Sequence, residues 1–357
     1  MTSVAANETG AVFTSPAFDL HEEVIFYTDA KSGLRAIIAI HDTTLGPALG
    51  GCRMWPYGNE QEAITDVLRL SRAMSFKNAL AQLSTGGGKS VIIGDPERDK
   101  SETLFHAFGR FVENLGGRYI VAEDVGTNVD DMSHIRSQTP HVMGFSARQG
   151  SSGDPSPVTA YGVFCGLKAA VEFRLGRVDL AGLSVAMQVI GHVGYQLCKY
   201  LHEAGAKLMV SDIHGAAVAR AEADFGARAV AGEDIYSQDV DVFAPCALGA
   251  ELNRRTIPQL KAQVVAGAAN NQLECAEDGA KLAERNILYA PDYVINAGGV
   301  INLSYERENG YARDQAMAHT ARIYEIASEI FGRAKREGRP TSDIADDMAQ
   351  ELLGAHS

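Results

Sequence analysis

Two lysines and an aspartate in the first third of the chain have the side chains and surroundings that proton transfer requires. Lys77 follows a predicted helix, and Lys89 lies between the run Gly86–Gly88 and an apolar segment that predicts a buried strand. The glycines predict a loop on which a ligand can rest without interference from Cβ atoms. Partial burial and a second cation nearby favour the uncharged amine of Lys89, which could then act as a base. Asp124, at the end of another predicted strand, could exchange protons with it.

Other interpretations of these residues are open at this point. The segment from Thr85 to Ser90 lacks the first glycine of the phosphate-loop pattern G-x-x-x-x-G-K-[ST], which disfavours a phosphate loop. The two lysines could instead be solvated surface charges. Asp124 could be a turn or helix-cap acid.

Residues 185–212 predict a strand, a tight turn, a helix and a second strand that ends on an acid, as in dinucleotide-binding units. The dinucleotide turn, Val189 to Gly194, keeps two glycines of the G-x-G-x-x-G pattern but has Val189 in the first position. Gly191 would allow a pyrophosphate to approach the backbone, and Gly194 would allow close helix–strand packing. Asp212, roughly 20 residues further on, suits the ribose 2′-OH of NAD. We expect Val189 to be tolerated if its φ stays negative and to weaken binding if φ must be positive.

The elements that must position these residues alternate between strands and helices. Predicted strands occupy residues 34–42, 90–96 and 118–126 and short segments near 240–244, 263–266 and 287–289; predicted helices occupy 60–74, 101–115, 161–173 and most of 312–353. Such alternation predicts an α/β fold with mostly parallel sheets. The segment 149–162, rich in Gly, Ser and Pro, predicts a hinge or domain boundary.

Composition excludes several classes of protein. The chain has 357 residues, enough for two domains, with 46% hydrophobic and 22% charged residues. A net charge of −13 disfavours nucleic-acid and membrane partners. The N-terminal 19 residues lack the features of a signal peptide and predict a partly disordered leader. The five scattered cysteines predict core thiols in a reducing compartment, which indicates the cytoplasm, and no metal site is expected from ligand spacing.

Long motifs give the sequence a family resemblance. The chain resembles the amino-acid dehydrogenases of the glutamate, leucine, phenylalanine and valine group over nearly all of residues 23–353, and is most similar to the members that act on leucine. The matching segments are GPALGG, RMWPY, KNA, GGGKSVIIGDP, AEDVGT, DPSPVTAYG, DVFAPCALGA, GAANNQL and APDYVINAGGVIN. Together they are far more specific than the incomplete glycine pattern.

The resemblance implies two α/β domains separated by a cleft. Residues 1–148, completed by C-terminal helices at about 335–357, would form the substrate, catalytic and oligomerisation domain, and residues 149–334 would form a Rossmann-type NAD-binding domain. It also implies a homo-oligomer whose small-molecule partners are an amino acid and its 2-oxo acid. The reaction would be reversible oxidative deamination with NAD, without a metal.

The resemblance also implies roles for individual residues. Lys77 would bind the substrate carboxylate, Lys89 would be the catalytic base and Asp124 would assist proton transfer. Gly50 and Gly51 would line the site, and Asn270 or Asn271 would hold the carboxylate or the nicotinamide end. The side-chain pocket would be formed by Leu49, Ala122, Val300 and Leu303. Cofactor contacts would come from Thr159, Val189, Gly191, His192, Val193, Gly194, Asp212, Ala247 and Asn270.

The chain departs from the family pattern in ways that keep alternatives open. Leu303 stands where the leucine-specific members usually have valine, so a phenylalanine or tryptophan dehydrogenase is the second expectation. Val189 and His192 replace the glycine and asparagine of the family's dinucleotide turn. A protonated His192 could favour the pyrophosphate, although an ordinary turn histidine is the simpler interpretation. The change at Val189 motivates a third expectation from another class, a cofactor-impaired binding or scaffold protein.

Overall fold

The computed structural model describes residues 12–145, 152–247, 249–307 and 310–354. It contains two compact units: the chain up to Gly153 together with the end of the chain from Leu352, and Asp154–Glu351. Residues 1–11 of the predicted leader and 149–151 of the predicted hinge lie outside the described residues.

The first unit is built on a five-stranded mixed sheet. Its strands are β1 (Glu23–Asp29), β2 (Leu34–Asp42), β3 (Ala48–Trp55), β4 (Gly86–Ile93) and β5 (Tyr119–Glu123), in the order β1-β2-β4-β3-β5. β1 and β2 form an antiparallel hairpin, and β2 is also antiparallel to β4. Only the pairs β4–β3 and β3–β5 are parallel. The expectation of mostly parallel sheets is therefore wrong for this unit, because a short turn through Gly33 (φ +75°) reverses the chain after β1.

Helices cover both faces of this sheet. They are α1 (Glu60–Leu80), α2 (Glu102–Glu113) and α3 (Val129–Arg136), and their N-caps are Asn59, Ser101 and Asn128. On one face, a core of Ile37, Ala39, Ala63, Ile64, Val67, Leu68 and Val91 joins α1 to β2 and β4. On the other, α2, α3 and the strands β2, β3, β4 and β5 share a larger core that includes Phe105, Phe108, Tyr119 and Met132. The sheet is thus a rigid platform for side chains at its strand ends.

The triple-glycine run is not a ligand loop, contrary to the sequence prediction. Gly86, Gly87 and Gly88 are buried and form the first three residues of β4. A Cβ on Gly86 would overlap the Asp42 carbonyl, and one on Gly87 would overlap the backbone of Ser75 in α1. A Cβ on Gly88 would lie 2.9 Å from the Tyr119 ring. These glycines therefore allow a strand, a helix and a neighbouring loop to pack at backbone distance.

The second unit contains an all-parallel sheet of six strands. These are β6 (Ser184–Gln188), β7 (Lys207–Ser211), β8 (Arg228–Ala229), β9 (Val242–Pro245), β10 (Val264–Val265) and β11 (Leu288–Tyr289), in the order β11-β10-β9-β6-β7-β8. The order reverses between β6 and β9, as in the doubly wound dinucleotide-binding fold. The prediction of a Rossmann-type domain is confirmed.

Helices surround this second sheet. α4 (Ser156–Leu175), α5 (His192–Glu203), α6 (Gly215–Phe225) and α7 (Glu277–Glu284) alternate with the strands. They are followed by α8 (Asp292–Ile295), α9 (Gly298–Ser304), the two-residue strands β12 (Glu306–Arg307) and β13 (Gly310–Tyr311), α10 (Arg313–Ala321), α11 (Ile323–Glu337) and α12 (Thr341–Gly354). The last part of the chain is helical, as the sequence predicts.

Most of the C-terminal segment groups with the second unit. The sequence assigns residues 335–357 to the first domain, whereas the contacts place residues up to Glu351 with the second unit and only the chain from Leu352 with the first. Thr341 Oγ1 donates a hydrogen bond to the Tyr289 carbonyl at 2.6 Å, and Tyr293 donates to Asp346 at 2.7 Å. These bonds fasten the first two turns of α12 to the end of β11 and to α8.

The five cysteines are free thiols. Cys52, Cys165 and Cys198 are buried as predicted, but Cys275 is exposed. Burial raises the pKa of the Cys52 thiol to about 12. None of the helices in the described part of the chain combines the length and apolar character needed to cross a lipid bilayer.

We predict that two buried histidines make the protein acid-labile. His21 and His41 are 7% and 8% exposed, with ring centroids 4.8 Å apart, and His41 Nδ1 lies 2.8 Å from Ser75 Oγ. Burial, and next the neighbouring His21, lowers the pKa of His41 from 6.5 to about 4; burial also lowers that of His21. Because the unfolded chain takes up these protons first, stability should be complete above pH 6.5 and fall as the pH decreases toward 4.

Urea unfolding across this pH range tests the prediction. The wild type should lose up to about 3 kcal/mol through His41. His41→Gln, which keeps a polar partner for Ser75, should show a flatter dependence. Equal slopes for the wild type and the variant would contradict the assignment.

Candidate active site and dinucleotide turn

The two predicted catalytic residues form an ion pair in which Lys89 is buried and Asp124 is partly buried. Lys89 lies in the middle of β4 and is 5% exposed; Asp124 follows the last residue of β5. The Lys89 Nζ lies 2.9 Å from the Asp124 Oδ2. Since side chains alternate along a strand, both residues lie on the face of the sheet that α1 covers. The structure therefore brings together two residues that the sequence separates by a helix and a strand.

Gly51 of β3 makes room for this pair. β3 lies between β4 and β5, and a Cβ on Gly51 would be 2.7 Å from the Asp124 Cβ and 3.1 Å from the Lys89 Nζ. A side chain here would separate the ammonium from the carboxylate. Gly50 is required for packing, because a Cβ at this position would overlap the Gly88 carbonyl of β4. Of the two glycines predicted to line the site, Gly51 borders the charged pair and Gly50 packs against the neighbouring strand.

Arg53 is a second cation on Asp124 that the sequence interpretation missed. Its Nε donates to the same Asp124 Oδ2 at 3.1 Å, and its Nη1 donates to Asp66 of α1 at 3.0 Å. Tyr57 donates to Asp66 at 2.6 Å. Arg53 and Tyr57 belong to the RMWPY segment, one of the matching motifs, which was the available signal. The network of charged side chains thus extends from Lys89 across β3 to Asp66 in the N-terminal half of α1.

These contacts keep Asp124 ionised. Burial acts to raise the pKa of Asp124, but the Lys89 ammonium and the Arg53 guanidinium together outweigh burial and leave the pKa below its usual value. Thr127 holds the backbone at this point, accepting from the Asp124 N–H at 3.0 Å and donating to the Cys52 carbonyl at 2.8 Å. The carboxylate is therefore held in position in its ionised, proton-accepting form.

The other predicted substrate residues of this unit lie on the same face of the sheet or on the helix that covers it. Lys77 is in the last turn of α1 and half-buried, so the expectation that it follows the helix is wrong by one turn. The helix continues because Asn78, Ala79 and Leu80 are still packed in the core. Leu49 and Ala122 are buried, and strand alternation places them on the same sheet face as Lys89.

Of the two conformations considered for Val189, the dinucleotide turn has the strained one, with positive φ. Val189 has φ +67°, in the left-handed region that a β-branched residue rarely enters. Its N–H donates to the Ser211 carbonyl at 2.8 Å. A Cβ on Gly194 would lie 2.5 Å from the Val189 carbonyl, so Gly194 allows α5 to begin directly against the turn, as predicted. The chain thus keeps the turn geometry of the complete glycine pattern despite the valine.

The turn opens onto a cavity of about 210 Å³. Gly191 is the N-cap of α5 and has no side chain to occupy the first N–H groups of the helix. A Cβ on Gly191 would meet nothing within 4 Å, so the backbone is accessible there. The cavity is lined by Asp154, Ile190, Gly191, His192, Tyr195, Gln196, Ala217 and Arg220. Free helix N–H groups beside the Arg220 guanidinium suit a diphosphate.

Asp212 follows β7 at the edge of this turn. Its Oδ2 accepts from the Ile190 N–H at 2.7 Å, and its Oδ1 accepts from the His214 N–H at 2.8 Å. Each oxygen keeps a lone pair for a further donor. Asp212 therefore orders the dinucleotide turn, a role that sequence spacing does not show, while its carboxylate remains suited to a ribose hydroxyl.

The remaining predicted residues of this unit lie after strands β9 and β10 and on helices α4, α5 and α9. Asn270 and Asn271 lie exposed in the loop after β10, and Asn296 Nδ2 donates to Asn270 Oδ1 at 2.8 Å. Ala247 is half-buried just after β9. Thr159 lies in the first turn of α4 and faces α9, where a Cβ on Gly299 would be 2.9 Å from its hydroxyl. Val300 and Leu303, half-buried, are three residues apart on one face of α9; Val193 is half-buried in the first turn of α5.

Comparison with known families identifies the class of protein. A sequence model described as Glu/Leu/Phe/Val dehydrogenase, dimerisation domain, matches residues 21–141. A second, described as Glutamate/Leucine/Phenylalanine/Valine dehydrogenase, matches residues 217–343. The chain therefore belongs to this family of amino-acid dehydrogenases.

Within this family, the chain is similar to dehydrogenases of leucine, phenylalanine and tryptophan. The chain is 56% identical over 333 residues to leucine dehydrogenase of Geobacillus stearothermophilus, covering 93% of this chain and 90% of the relative. It is 48% identical to phenylalanine dehydrogenase of Bacillus thermotolerans over 340 residues, 94% of this chain and 89% of the relative. The crystal structure of L-tryptophan dehydrogenase from Nostoc punctiforme superposes with a TM-score of 0.82 at 46% identity, covering 94% of this chain and 97% of that one.

We predict that Val189→Gly stabilises the protein. The left-handed conformation costs an L-residue about 1–2 kcal/mol, whereas glycine adopts it freely but has the more mobile unfolded chain. The net gain should be about 1 kcal/mol, or a Tm increase of about 2–4 °C. Val189→Ala, which keeps a Cβ, should gain less. A Val189→Gly variant less stable than wild type in thermal unfolding would show that valine packing outweighs the strain.

Proposed function

We propose that the protein catalyses the reversible NAD-dependent oxidative deamination of a branched-chain L-amino acid, with leucine preferred. Amino acid, NAD⁺ and water would give the 2-oxo acid, ammonium, NADH and a proton. The Lys89–Asp124 contact of 2.9 Å carries the proposal. It lies on the sheet face that α1, the helix of Lys77, covers, in a chain 56% identical to leucine dehydrogenases.

The second unit supports NAD as the cofactor. The accessible N–H groups of α5, opened by Gly191 and Gly194, would hold the pyrophosphate. Asp212 would accept from the ribose hydroxyls and repel a 2′-phosphate. We also assign cofactor contacts to Thr159, Val189, His192, Val193, Ala247 and Asn270. When bound, NAD supplies the hydride acceptor for the substrate Cα–H bond.

The first unit supplies the groups that move protons. Lys77 would bind the substrate carboxylate and orient its Cα, with Asn270 or Asn271 as a further polar partner. Once Cα has become an imine carbon, Lys89 would act from its uncharged amine form, after release of the ammonium proton to solvent, and would take a proton from the water that attacks this carbon. Asp124 Oδ2, within 2.9 Å of Lys89, would accept that proton and return it to the departing nitrogen. Gly51 keeps this path clear.

Substrate preference would depend on aliphatic side chains. We assign the recognition of the substrate side chain to Leu49, Ala122, Val300 and Leu303, with Gly50 and Gly51 supporting the backbone near the pair. Leu303 in place of the usual valine adds one methylene. Apolar contacts discriminate such a change by about 1–3 kcal/mol, so phenylalanine or tryptophan is the second candidate. The crystal structure of L-tryptophan dehydrogenase that superposes on this chain favours testing it.

We further propose a cytoplasmic homo-oligomer. Residues 21–141 match a family domain described as a dimerisation domain, which supports assembly through the first unit. A protein with three buried free thiols suits a reducing compartment. Its partners would be small molecules, with neither nucleic acid nor membrane among them, consistent with the net charge of −13.

A panel of amino acids tests the proposed reaction. With NAD⁺ and leucine, valine, isoleucine, phenylalanine, tryptophan or glutamate, NADH absorbance should show the highest kcat/KM for leucine. Lys89→Ala should lose about 10²–10⁴-fold in kcat while calorimetry shows unchanged NAD⁺ binding. A higher kcat/KM for an aromatic substrate would replace leucine with the second candidate. Absence of NAD⁺ binding to the wild type would favour the scaffold alternative.

We predict that Arg53 sets the acid limb of the pH profile. Arg53→Gln removes one of the two cations that hold the pKa of Asp124 low, so that pKa should rise. The acid limb of kcat/KM should then move to higher pH, with up to about a 100-fold loss at its former optimum from poorer positioning of Asp124. Arg118→Gln, which removes a cation paired with Glu23 in the same unit, is the matched control. An unmoved acid limb in Arg53→Gln would rule out this role.

A further inference from the structure

A group of metal-ligating side chains lies on the outer surface of the first unit. Glu102 and His106 of α2 and His134 of α3 each direct one ligand atom to a common point, and these atoms all lie within 4.8 Å of one another. The Glu102 Oε1 is 3.5 Å from the His106 Nε2 and 3.9 Å from the His134 Nδ1. The two imidazole rings meet edge to face, with centroids 5.9 Å apart. The proposed reaction uses none of these residues.

Local structure explains why the three side chains converge. Glu102 is the first residue of α2 and His106 lies four residues later, so both occupy one face of the helix. α3 begins at a capping box in which Asn128 and Asp131 bond each other's backbone, and Lys100, just before α2, contacts Asp131 at 2.5 Å. These bonds fix the start of α3 against the start of α2, which brings His134 beside the first helix.

We propose that Glu102, His106 and His134 bind a divalent transition-metal ion, for which Zn²⁺ has the best chemistry. Two imidazole nitrogens and one carboxylate oxygen are typical zinc ligands, whereas Ca²⁺ and Mg²⁺ prefer oxygen alone. Zinc bonds of about 2.0–2.2 Å place tetrahedral ligand atoms roughly 3.4 Å apart. The separations of 3.5 and 3.9 Å reach this value through small side-chain rotations. Water completes the coordination, because the three side chains are 26–65% exposed.

A simpler explanation covers only part of the arrangement. A Glu–His pair four residues apart on a helix forms an ordinary surface ion pair when the imidazole is protonated. That pair has no need of His134, and two protonated imidazoles around one carboxylate would repel each other. A divalent cation satisfies all three groups at once. It would also join α2 to α3 and thereby brace the segment of Asp124 and Thr127 that precedes α3.

Calorimetric titration with ZnCl₂ tests the site in the untagged, chelator-treated full-length protein. Cys275→Ser serves as the common background, because Cys275 is an exposed thiol next to Asp278 and could bind zinc itself. The background protein should bind zinc at a single site and show a Tm increase of about 2–4 °C at saturation. Co²⁺ bound in the same place should show no thiolate-to-metal absorption band.

Variants locate the ligands. His106→Ala and His134→Ala should each weaken zinc binding more than about tenfold and abolish the Tm increase. Their Tm without metal should match the background, which excludes misfolding. His141→Ala is the matched control, since His141 lies 3.9 Å from Glu113 in the same unit without a second imidazole, and it should bind zinc normally. Unchanged zinc binding in both ligand variants, or no binding by the background protein, would overturn the proposal.

Discussion

The ion pair between Lys89 and Asp124 is the constraint on which the first unit depends. Two opposite charges with little access to water are stable only if their geometry is good and each has further polar partners. Asp124 meets this condition through Arg53, which Asp66 holds in turn, and through Thr127, which accepts from the Asp124 N–H. The parallel part of the sheet, β4-β3-β5, serves the same requirement, because β4 and β5 present the two groups across a central β3 that has glycine at the point of contact.

In the second unit, backbone N–H groups rather than a side-chain ion pair determine the electrostatics of the dinucleotide turn. The N–H groups at the start of α5 and the Asp212 carboxylate surround the dinucleotide turn, and Asp212 is already held by the Ile190 N–H. The turn therefore has its shape before any ligand arrives. Val189 maintains that shape from a left-handed conformation, so the cost of having valine here falls on folding and not on the placement of the N–H groups at the start of α5.

Sequence patterns predicted the Rossmann unit, the strand-end position of Asp124 and the packing role of Gly194, because each depends on local periodicity or on one short motif. They failed where three-dimensional packing decides. The glycine run was assigned to a loop because nothing local shows that α1 passes over Gly87 at backbone distance. Arg53 was missed because its partners come from β5 and α1. The hairpin that makes the first sheet mixed, and the approach of His134 to α2, likewise depend on contacts between distant parts of the chain.

The glycines of the two units impose demands of different kinds, with consequences for how such sequences diverge. A Cβ on Gly87 or Gly50 would overlap another backbone, so an entire strand would have to move to accept it. The first position of the dinucleotide turn requires only a positive φ, which glycine adopts most easily. Another residue can adopt it at a cost in folding free energy, as Val189 does. Substitutions should therefore accumulate at the first glycine of the G-x-G-x-x-G pattern sooner than at the glycines of β3 and β4. A search keyed to that signature would pass over this protein and others like it.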